Sequence, residues 1–256
     1  MEILVSIIVF IYGLVFGSFY NVVGYRLPKG MSLIKPRGSF CPNCNHELRW
    51  YELIPLFSFI IQRGKCTKCK KKISLYYPMI ELLTGILFLV SYISFGITTE
   101  FMIALILSSY FVIVVVSDGR YMIIPDEVTI VMSILLIVTE VLSYGPEKTL
   151  VYIVSGIALF LIIFLFMKIC NFIFKKETLG GGDVKLEFFT GCLLGVPNGL
   201  FSIFIGSVLA LPFSIINTKK NNNMVPFGPF LLLGALLIYV LRIDVIKIIN
   251  DLSYLF

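Results

Sequence analysis

The chain has 256 residues, of which 58% are hydrophobic and 14% are charged, and its mean hydropathy is +0.97. This composition excludes a water-soluble globular domain and predicts an all-α protein that crosses the lipid bilayer several times. The net charge of +6 does not indicate a nucleic-acid partner, because membrane proteins collect Lys and Arg in their cytoplasmic loops.

Eight apolar segments come near the length of about 20 residues that crosses a membrane. They comprise residues 3–22, 79–97, 101–117, 128–144, 149–173, 185–197, 199–216 and 227–242. The sixth is short, and Pro197 and Gly199 mark its boundary with the seventh. The first is predicted to be a retained helix, because Glu2 stands where a signal peptide has a basic region and no small-residue cleavage site follows.

The distribution of basic residues predicts the orientation of these segments. Eleven of the 21 Lys and Arg residues lie between Arg26 and Lys72. This pattern places the N-terminus outside and puts four segments on the cytoplasmic side, namely residues 23–78, 118–127, 174–184 and 217–226. All but three of the other basic residues lie in or near these regions, with Lys168 and Lys185 just beyond their bounds; the three exceptions are Lys148, Arg242 and Lys247.

Two CxxC pairs lie in residues 29–78, which form the one sizeable segment predicted outside the membrane. The ligand candidates are Cys41, Cys44, Cys66 and Cys69. Four thiolates from two tight turns form the closed tetrahedral site that structural Zn²⁺ prefers. Disulfides are the alternative, but a segment facing the reducing cytoplasm disfavours them.

The residues around these cysteines, and the two remaining cysteines, lead to further predictions. Basic side chains are expected to favour the thiolate form; they are Lys65, Lys68 and Lys70. His46, the single histidine, is expected to be an exposed loop residue rather than a ligand. Cys170 and Cys192 lie in apolar segments and are expected to be buried as small hydrophobic residues.

Apolar residues from Trp50 to Ile60 are too hydrophobic for a freely solvated loop, so we expect them to lie against the bilayer or the helix bundle. Asn21, in the first helix, needs a partner if it is buried. Glu81 could neutralise a buried cation or interact with Asn21. Alternatively, Glu81 is a first-turn carboxylate that stabilises a helix N-terminus.

Asp183 follows Gly180, Gly181 and Gly182 at the start of an apolar segment. A carboxylate near hydrocarbon costs roughly 2.5–3.5 kcal/mol at a helix centre, so it is usually paired or functional. Capping of the following helix is the simpler alternative. The glycines remove side-chain bulk and would let an extended peptide lie against the backbone.

Asp118 ends the third segment on the side where Asp183 begins the sixth. Two carboxylates within reach of each other share a proton and titrate as a unit. In an aspartic protease, one such carboxylate takes a proton from water while its neutral partner donates to the scissile carbonyl. Asp118 and Asp183 are therefore the predicted catalytic residues.

Other polar residues surround this predicted dyad. Asp126 follows Pro125 and is expected to cap a helix rather than act as a catalyst, and it is also a candidate substrate contact. Lys185 is a further candidate substrate contact and is expected to point away from Asp183, whereas Glu187 shares the Asp183 face. An acidic mouth suited to a cationic peptide is predicted from Asp118, Asp126, Glu127, Glu177, Asp183 and Glu187.

Near the C-terminus, two features follow the predicted loop at 217–226. PFGPF at 226–230 gives the last span an irregular start, which is tolerated where protein buries it or where it lines a cavity. Residues 243–256 are predicted to form an interfacial helix, because isoleucines recur at helical spacing.

These motifs together resemble the type 4 prepilin peptidases, which are GxGD aspartic proteases, over nearly the whole chain. The matching pieces are GSFYNVVGYRLP at 17–28, the two CxxC pairs, RWYELIP at 49–55, GKCTKCKKKISLYYPMIELLTG at 64–85, Asp118 with the following Ile124-Pro125-Asp126, GGGDVKL at 180–186, and PFGPF. Tyr20, Gly24 and Ser117 depart mildly from the expected pattern.

The resemblance implies a bifunctional enzyme of the bacterial cytoplasmic membrane. Such an enzyme cuts the basic leader from prepilins or pseudopilins after a glycine, on the cytoplasmic side. It also transfers a methyl group from S-adenosylmethionine to the new N-terminal residue, usually phenylalanine. In a version that serves competence pseudopilins, the methylation step is less firmly implied.

Mapped onto this sequence, the resemblance implies catalysis by Asp118 and Asp183 and zinc binding by the four CxxC cysteines. It assigns no residues to the methyl donor. The predicted domains are a first transmembrane helix at 1–22, a cytoplasmic zinc-binding segment associated with methyl transfer at 23–78, a transmembrane peptidase domain at 79–242, and the tail at 243–256.

Two hypotheses from other classes compete with this one. In a transporter, Asp118, Asp183 and the broken helices would bind a cation near the membrane midplane. In a zinc-ribbon scaffold for a secretion machine, the cysteines would be explained but the two aspartates would have no role.

Overall fold

The structure is a computed structural model that describes residues 2–35, 38–219 and 225–253. In these ranges the chain is helical, and β-structure is confined to two isolated bridges. The α-helices are α1 Glu2–Arg26, α2 Phe57–Ile61, α3 Tyr76–Phe95, α4 Thr99–Tyr121, α5 Asp126–Tyr144, α6 Pro146–Phe174, α7 Gly181–Lys219, α8 Gly228–Val240 and α9 Val245–Ser253. Short 3₁₀ helices cover Leu27–Lys29 and Trp50–Leu53.

Six of these helices are long and apolar enough to cross a membrane, and α8 is a shorter apolar helix. The prediction of an all-α, multi-pass membrane protein is therefore confirmed. The predicted sixth and seventh segments are joined in α7, which is interrupted at Gly195, where φ is 74° and ψ is 172°. This backbone geometry is outside the helical region and is readily adopted by glycine.

The interruption at Gly195 reverses the direction of the chain. A continuous helix would separate Gly191 from Gly199 by about 12 Å along its axis, yet side-chain atoms of Leu159 lie beside both glycines. Beyond the break, Gly206 packs against the α8 backbone at Phe230. The two arms of α7 therefore form a hairpin, as the two predicted segments require.

Contacts at the two ends of the bundle support this hairpin. Asn198, just after the break, accepts a 2.9 Å hydrogen bond from the backbone of Val245, which follows the C-terminal end of α8. At the other end, the first residue of α8, Gly228, contacts Asp118 near the end of α4. The C-terminal end of α4 and the N-terminal ends of α7 and α8 thus lie at one end of the bundle.

Helix α4 forms the centre of the bundle, because it packs against α1, α3, α5 and α8. Its side chains at Leu107, Tyr110, Val112 and Val114 are completely buried. The Tyr110 ring packs edge-on against Phe189 of α7, with ring centroids 4.9 Å apart. The central helix therefore fixes the relative positions of the elements that carry the two predicted catalytic aspartates.

The predicted interfacial tail contains α9, on which Ile246 and Ile249 are exposed. Its helical character is confirmed for Val245–Ser253, and its contact with the membrane surface remains a prediction. Residues 220–224 of the predicted cytoplasmic loop, which include Lys220 and the three asparagines, lie outside the described residues.

Candidate active site and metal centre

The structure brings Asp118 and Asp183 together. Asp118 lies in the last turn of α4 and is 6% exposed, whereas Asp183 lies half-buried in the first turn of α7. Their carboxylates are close enough to interact electrostatically. Oδ2 of Asp118 accepts a 3.1 Å hydrogen bond from the backbone N–H of Gly228. One backbone donor and two carboxylates therefore converge at the end of the bundle.

Ile124, in the loop between α4 and α5, is a spacer between the helix ends at this site. A methyl group added to Gly228 would lie 2.7 Å from Cδ1 of Ile124, and one added to Gly182 would lie 3.1 Å from Cβ of Ile124. These distances are below normal van der Waals contact, so a side chain at either position would require Ile124 or its neighbours to shift. Glycine at these two positions lets α7 and α8 approach the Asp118 end of α4.

The three predicted substrate-contact glycines have different surroundings. Gly180 lies beside Asp183, because an added methyl group would lie 3.0 Å from Oδ2 of that residue. The Gly180 backbone also donates a hydrogen bond to the Asp183 carboxylate. Asp183 is the third residue of α7 rather than its N-cap, so the predicted N-cap position is wrong. Gly181 faces open space, so it is the glycine whose backbone is open to an approaching peptide.

Asp126 and Lys185, the other predicted substrate contacts, bind each other. The Lys185 Nζ lies 2.8 Å from Oδ1 and 2.7 Å from Oδ2 of Asp126, and both side chains are exposed. Lys185 thus points away from Asp183, as predicted. Asp126 was predicted to cap a helix. It is instead the first residue of α5, and the N-cap is the preceding residue, Pro125.

The predicted acidic mouth is smaller in the structure. Glu187 is 1% exposed, and its Oε2 has no hydrogen-bond partner among the described residues. It interacts electrostatically with Asp183 from inside the bundle. Glu187 therefore does not face a substrate from solvent, because its position four residues after Asp183 turns it into the packed interior.

The four CxxC sulfur atoms form a compact group in which every pair of Sγ atoms lies within 4.8 Å. Cys41 and Cys69 are 3.9 Å apart, as are Cys44 and Cys66. A tetrahedral zinc site with Zn–S distances of about 2.3 Å requires sulfur atoms roughly 3.8 Å apart. The thiols are free rather than disulfide-bonded, and their arrangement fits one zinc ion.

The two CxxC turns have the same backbone design. Cys41 N–H donates to the carbonyl of His46, and Cys66 N–H donates to the carbonyl of Lys71. The fifth residue of each turn has a positive φ, 53° at Asn45 and 59° at Lys70. The repeated turn explains how two short sequences present their thiols at matching angles.

The thiolate form of Cys66 is favoured by the backbone. The N–H groups of Cys69 and Lys68 lower the pKa of the Cys66 thiol to about 6. The side chains of the neighbouring lysines were predicted to lower the pKa of the thiols. At Cys66 the shift comes instead from the backbone N–H groups of the tight turn, which are directed at the sulfur.

His46 is partly buried rather than freely exposed, which corrects the prediction. Its Nε2 lies 3.3 Å from Oε2 of Glu52, and the Glu52 side chain is 1% exposed. Glu52 also accepts hydrogen bonds from the Arg49 backbone and from the Thr67 hydroxyl. Burial opposes ionisation, but these partners together hold the pKa of Glu52 below its usual value. Glu52 thereby joins the two halves of the zinc segment.

Glu81 attaches the zinc segment to the membrane helices. It is buried near the start of α3, and its Oε2 accepts a 2.9 Å hydrogen bond from the backbone of Leu56. Neither predicted partner is correct, because Asn21 instead donates to the carbonyls of Gly17 and Tyr77. The alternative is also wrong, because Glu81 is the sixth residue of α3 and lies beyond its first turn. The Asn21 Oδ1 is buried without a hydrogen-bond partner among the described residues.

A cavity of about 390 Å³ lies between the zinc segment and helices α1 and α3. We call it the zinc-side cavity. Ser18, Asn21 and Glu81 line its helical wall, and Glu52 and Gln62 line the opposite side. Its volume is within the range of about 300–1,000 Å³ that is typical of small-molecule sites.

Apolar residues of the zinc segment form an exposed surface, which fits the prediction that they contact the bilayer. Trp50 is 78% exposed, and Phe57 and Ile60 on α2 are 64% and 70% exposed. Of the two cysteines expected to be buried, Cys192 is fully buried, whereas Cys170 on α6 is only half-buried.

Sequence reasoning missed the roles of Gly228, Ile124 and Glu52. The PFGPF run indicated an irregular helix start but not that its backbone would reach Asp118. No local pattern indicated that Ile124 separates two glycines, because both contacts are distant in sequence.

The fold and these sites define a polytopic membrane protein with paired aspartates at one end of its helix bundle and a Cys₄ metal-binding segment beside them. Comparison with known proteins then identifies the family. Residues 11–95 match the Bacterial Peptidase A24 N-terminal domain, and residues 105–215 match the Type IV leader peptidase family.

Curated relatives carry the name prepilin leader peptidase/N-methyltransferase. The Bacillus subtilis protein is 36% identical, covering 91% of this chain and 93% of its own length. The Vibrio cholerae protein is 29% identical over 93% of this chain and 98% of its own length, and the Neisseria gonorrhoeae protein is 29% identical over 93% and 91%. No solved structure matches the chain.

The chain therefore belongs to the prepilin leader peptidase/N-methyltransferase family. Family membership and the long apolar helices make it a multi-pass protein of the bacterial inner membrane.

Proposed function

We propose that this protein is an aspartic endopeptidase that removes the basic leader from prepilins or pseudopilins after a glycine, and that it N-methylates the new N-terminal residue. The observation that carries the peptidase assignment is the convergence of Asp118, Asp183 and the Gly228 backbone N–H. Family membership supports both activities.

In the proposed mechanism, one proton is shared between the Asp118 and Asp183 carboxylates. The ionised member takes a proton from a water molecule, and the neutral member donates its proton to the scissile carbonyl as the water attacks. Because the Gly228 N–H binds Asp118 Oδ2, it fixes that carboxylate and stabilises its ionised form. Because the Gly180 backbone makes the same kind of contact with the Asp183 carboxylate, either aspartate can serve as the base while the other serves as the acid.

The substrate is proposed to approach past Gly181, whose open side allows close contact with an extended backbone. Exposed Glu127 and Glu177 would attract the basic leader. The concentration of Lys and Arg around the same end of the bundle supports a cytoplasmic position for this site, and the bilayer would hold the apolar part of the substrate.

The zinc-side cavity is the proposed site of S-adenosylmethionine. The methyl donor carries sulfonium and ammonium cations together with a hydrogen-bonding base. The cavity offers the Glu81 carboxylate and the Asn21 Oδ1, for which the described residues provide no hydrogen-bond donor. These groups would orient the donor, which supplies an electrophilic methyl group for the amine of the cleaved substrate. The residues present thus fit this cofactor.

Zn²⁺ is proposed to be structural, held by Cys41, Cys44, Cys66 and Cys69. Four protein ligands leave no open position for catalysis. The metal would hold the walls of the zinc-side cavity, since Cys41 and Cys66 both line it.

The peptidase proposal is tested by incubating purified protein with a prepilin and S-adenosylmethionine, followed by mass spectrometry of the new N-terminus. Asp118→Asn and Asp183→Asn should each reduce cleavage by at least about 10²-fold, since each removes a proton-transfer group. Asp251→Asn, on exposed α9, is the matched control. Cleavage by either dyad variant at the wild-type rate would refute the assignment.

The transporter hypothesis is not favoured by family membership. The placement of Asp118 and Asp183 at helix ends, rather than at mid-helix, is a second reason against it. Cation uptake by reconstituted vesicles without any peptidase activity would reverse this judgement.

A further inference from the structure

A second cavity, of about 350 Å³, lies at the end of the bundle opposite the proposed dyad. It is bounded by the last residues of α3 and α5, Phe95 and Tyr144, and by Arg242 after α8. Glu100, at the start of α4, also lines it. Because Glu100 and Asp118 are 18 residues apart on the same helix, the cavity lies about 27 Å from the proposed dyad. We call this space the Glu140 cavity.

Glu140 lines this cavity and is 2% exposed. Its Oε2 is buried and has no hydrogen-bond partner among the described residues. Burial of a carboxylate without a partner is costly, so such groups generally bind a proton, a cation or a ligand. Neither the peptidase nor the methyltransferase proposal uses this residue.

Aromatic rings form much of the wall around Glu140. Phe95 and Tyr239 have ring centroids 5.3 Å apart, and Tyr144 and Tyr152 have centroids 6.2 Å apart. Aromatic faces combined with a carboxylate are the usual surroundings of an organic ammonium group. The volume favours such a group over a bare metal ion, because a water-sized species occupies only about 30 Å³.

Arg242 gives the cavity a cationic group as well. Its guanidinium lies 5.1 Å from the centre of the Phe95 ring. The residue is exposed, and among the described residues no carboxylate forms an ion pair with it. The cavity therefore presents the buried Glu140 carboxylate, the partly buried Glu100 carboxylate and a planar cation at its edge, a combination that complements a zwitterion.

We propose that the Glu140 cavity binds the headgroup of an aminophospholipid, with the ammonium group on Glu140 and the phosphate on Arg242. The position of the cavity supports this ligand, because it lies at the ends of membrane-spanning helices, where phospholipid headgroups are found. The bound lipid would link α3, α5 and α8 at the end remote from the proposed active site. It would act as a stabilising ligand rather than a substrate.

The test is native mass spectrometry of the delipidated, full-length protein titrated with phosphatidylethanolamine or phosphatidylglycerol of identical acyl chains. We expect at least tenfold tighter binding of phosphatidylethanolamine, and loss of that preference in Glu140→Gln. Arg242→Gln should weaken binding of phosphatidylethanolamine. Glu147→Gln, an exposed residue in the first turn of α6, is the matched control and should retain the preference.

Thermal unfolding provides a second measurement. Saturating phosphatidylethanolamine should raise the Tm of the wild type by roughly 5 °C and leave that of Glu140→Gln unchanged. The Tm is also measured with free phosphoethanolamine at the same concentration. A rise in Tm with this headgroup alone would show that binding does not need the acyl chains.

Three results would overturn the proposal. The first is equal affinity for the two lipids, and the second is an unchanged preference in Glu140→Gln. The third is a Glu140-dependent rise in Tm produced by sodium, potassium or calcium salts in the absence of lipid, which would identify an inorganic cation site instead. Glu140→Gln should itself fold, because it removes a buried charge that has no described partner.

Discussion

The backbone N–H of Gly228 donates a hydrogen bond of 3.1 Å to Oδ2 of Asp118. This contact joins the start of α8 to the end of α4, across 110 residues of sequence. It ties the orientation of one proposed catalytic carboxylate to the backbone of a distant helix, so the geometry of the dyad depends on how closely α8 approaches.

We therefore expect Gly228→Ala to impair cleavage. The added methyl group would lie 2.7 Å from Cδ1 of Ile124 and 3.2 Å from Oδ2 of Asp118, so either these side chains shift or α8 moves away, and both changes displace the Asp118 carboxylate. Misplacement of a catalytic group by about 1 Å can reduce the rate by roughly 10²-fold. Steady-state cleavage of a prepilin measures the effect.

Gly38→Ala is the matched control for this substitution, because none of the residues that the structure describes lies within 4 Å of a methyl group at that position. It should retain the wild-type rate. Equal rates for Gly228→Ala and Gly38→Ala would show that the close approach of α8 is unimportant for catalysis.

One zinc ion per chain is expected in protein purified without chelator. Cys41→Ser and Cys66→Ser should each lose most of the metal. The zinc segment should then become sensitive to protease, because metal binding supplies much of the folding free energy of so small a segment. Elemental analysis and limited proteolysis measure these effects. Cys170→Ser, on α6, should keep a full zinc content; wild-type protein that contains no zinc would contradict the assignment.

Glu81→Gln should separate the two proposed activities. Loss of the carboxylate charge should weaken binding of S-adenosylmethionine by about tenfold, since a charge-assisted contact is typically stronger than a neutral one by this order. Leader cleavage should continue. Isothermal titration with S-adenosylmethionine gives the affinity, and mass spectrometry of the product gives the methylated fraction.

The exposed Glu47→Gln variant is the control for Glu81→Gln and should bind the methyl donor normally. If Glu81→Gln also retains full affinity, the methyl donor lies elsewhere than the zinc-side cavity.

Trp50 is the single tryptophan of the chain, and its fluorescence can therefore report where the apolar surface of the zinc segment lies. We expect brominated lipids to quench it in proteoliposomes, because an indole that is 78% exposed is favoured at the membrane interface. Phe57→Ser combined with Ile60→Ser should reduce the quenching. Unquenched emission from the wild type would place this surface in water.

The ion pair between Asp126 and Lys185 should contribute little to stability. Both side chains are more than half exposed, and exposed pairs typically contribute about 0.2–1 kcal/mol. A double-mutant cycle with Asp126→Asn and Lys185→Met should give a coupling free energy in that range. A larger effect on the KM for prepilin than on stability would support the predicted substrate contact, whereas unchanged KM values would exclude it.

The sequence was sufficient to predict the elements whose signals are local. Long apolar segments determine membrane helices, because the bilayer leaves backbone groups no other partners. Likewise, the two CxxC pairs predicted the Cys₄ cluster, because each pair and its turn occupy adjacent residues. The hairpin at Gly195 was also visible as two apolar segments separated by Pro197 and Gly199.

Partners at long sequence separation were not predictable in the same way. Glu81 had two plausible interactions in the sequence, yet its partner is the backbone of Leu56. Glu187 was assigned to an acidic surface because it shares a helix face with Asp183, but packing around α7 buries that face.

By itself, the sequence determined a helical membrane protein with a thiolate metal site and two aspartates on the same side of the bilayer, because composition, segment length and short-range spacing depend only on neighbouring residues. Tertiary structure decided that Gly228 binds Asp118, that Ile124 separates Gly182 from Gly228, and that the Glu140 Oε2 lies in a cavity with no hydrogen-bond partner in the described part of the chain. These relationships arise from helix packing, in which a few ångströms of approach decide which distant groups make contact.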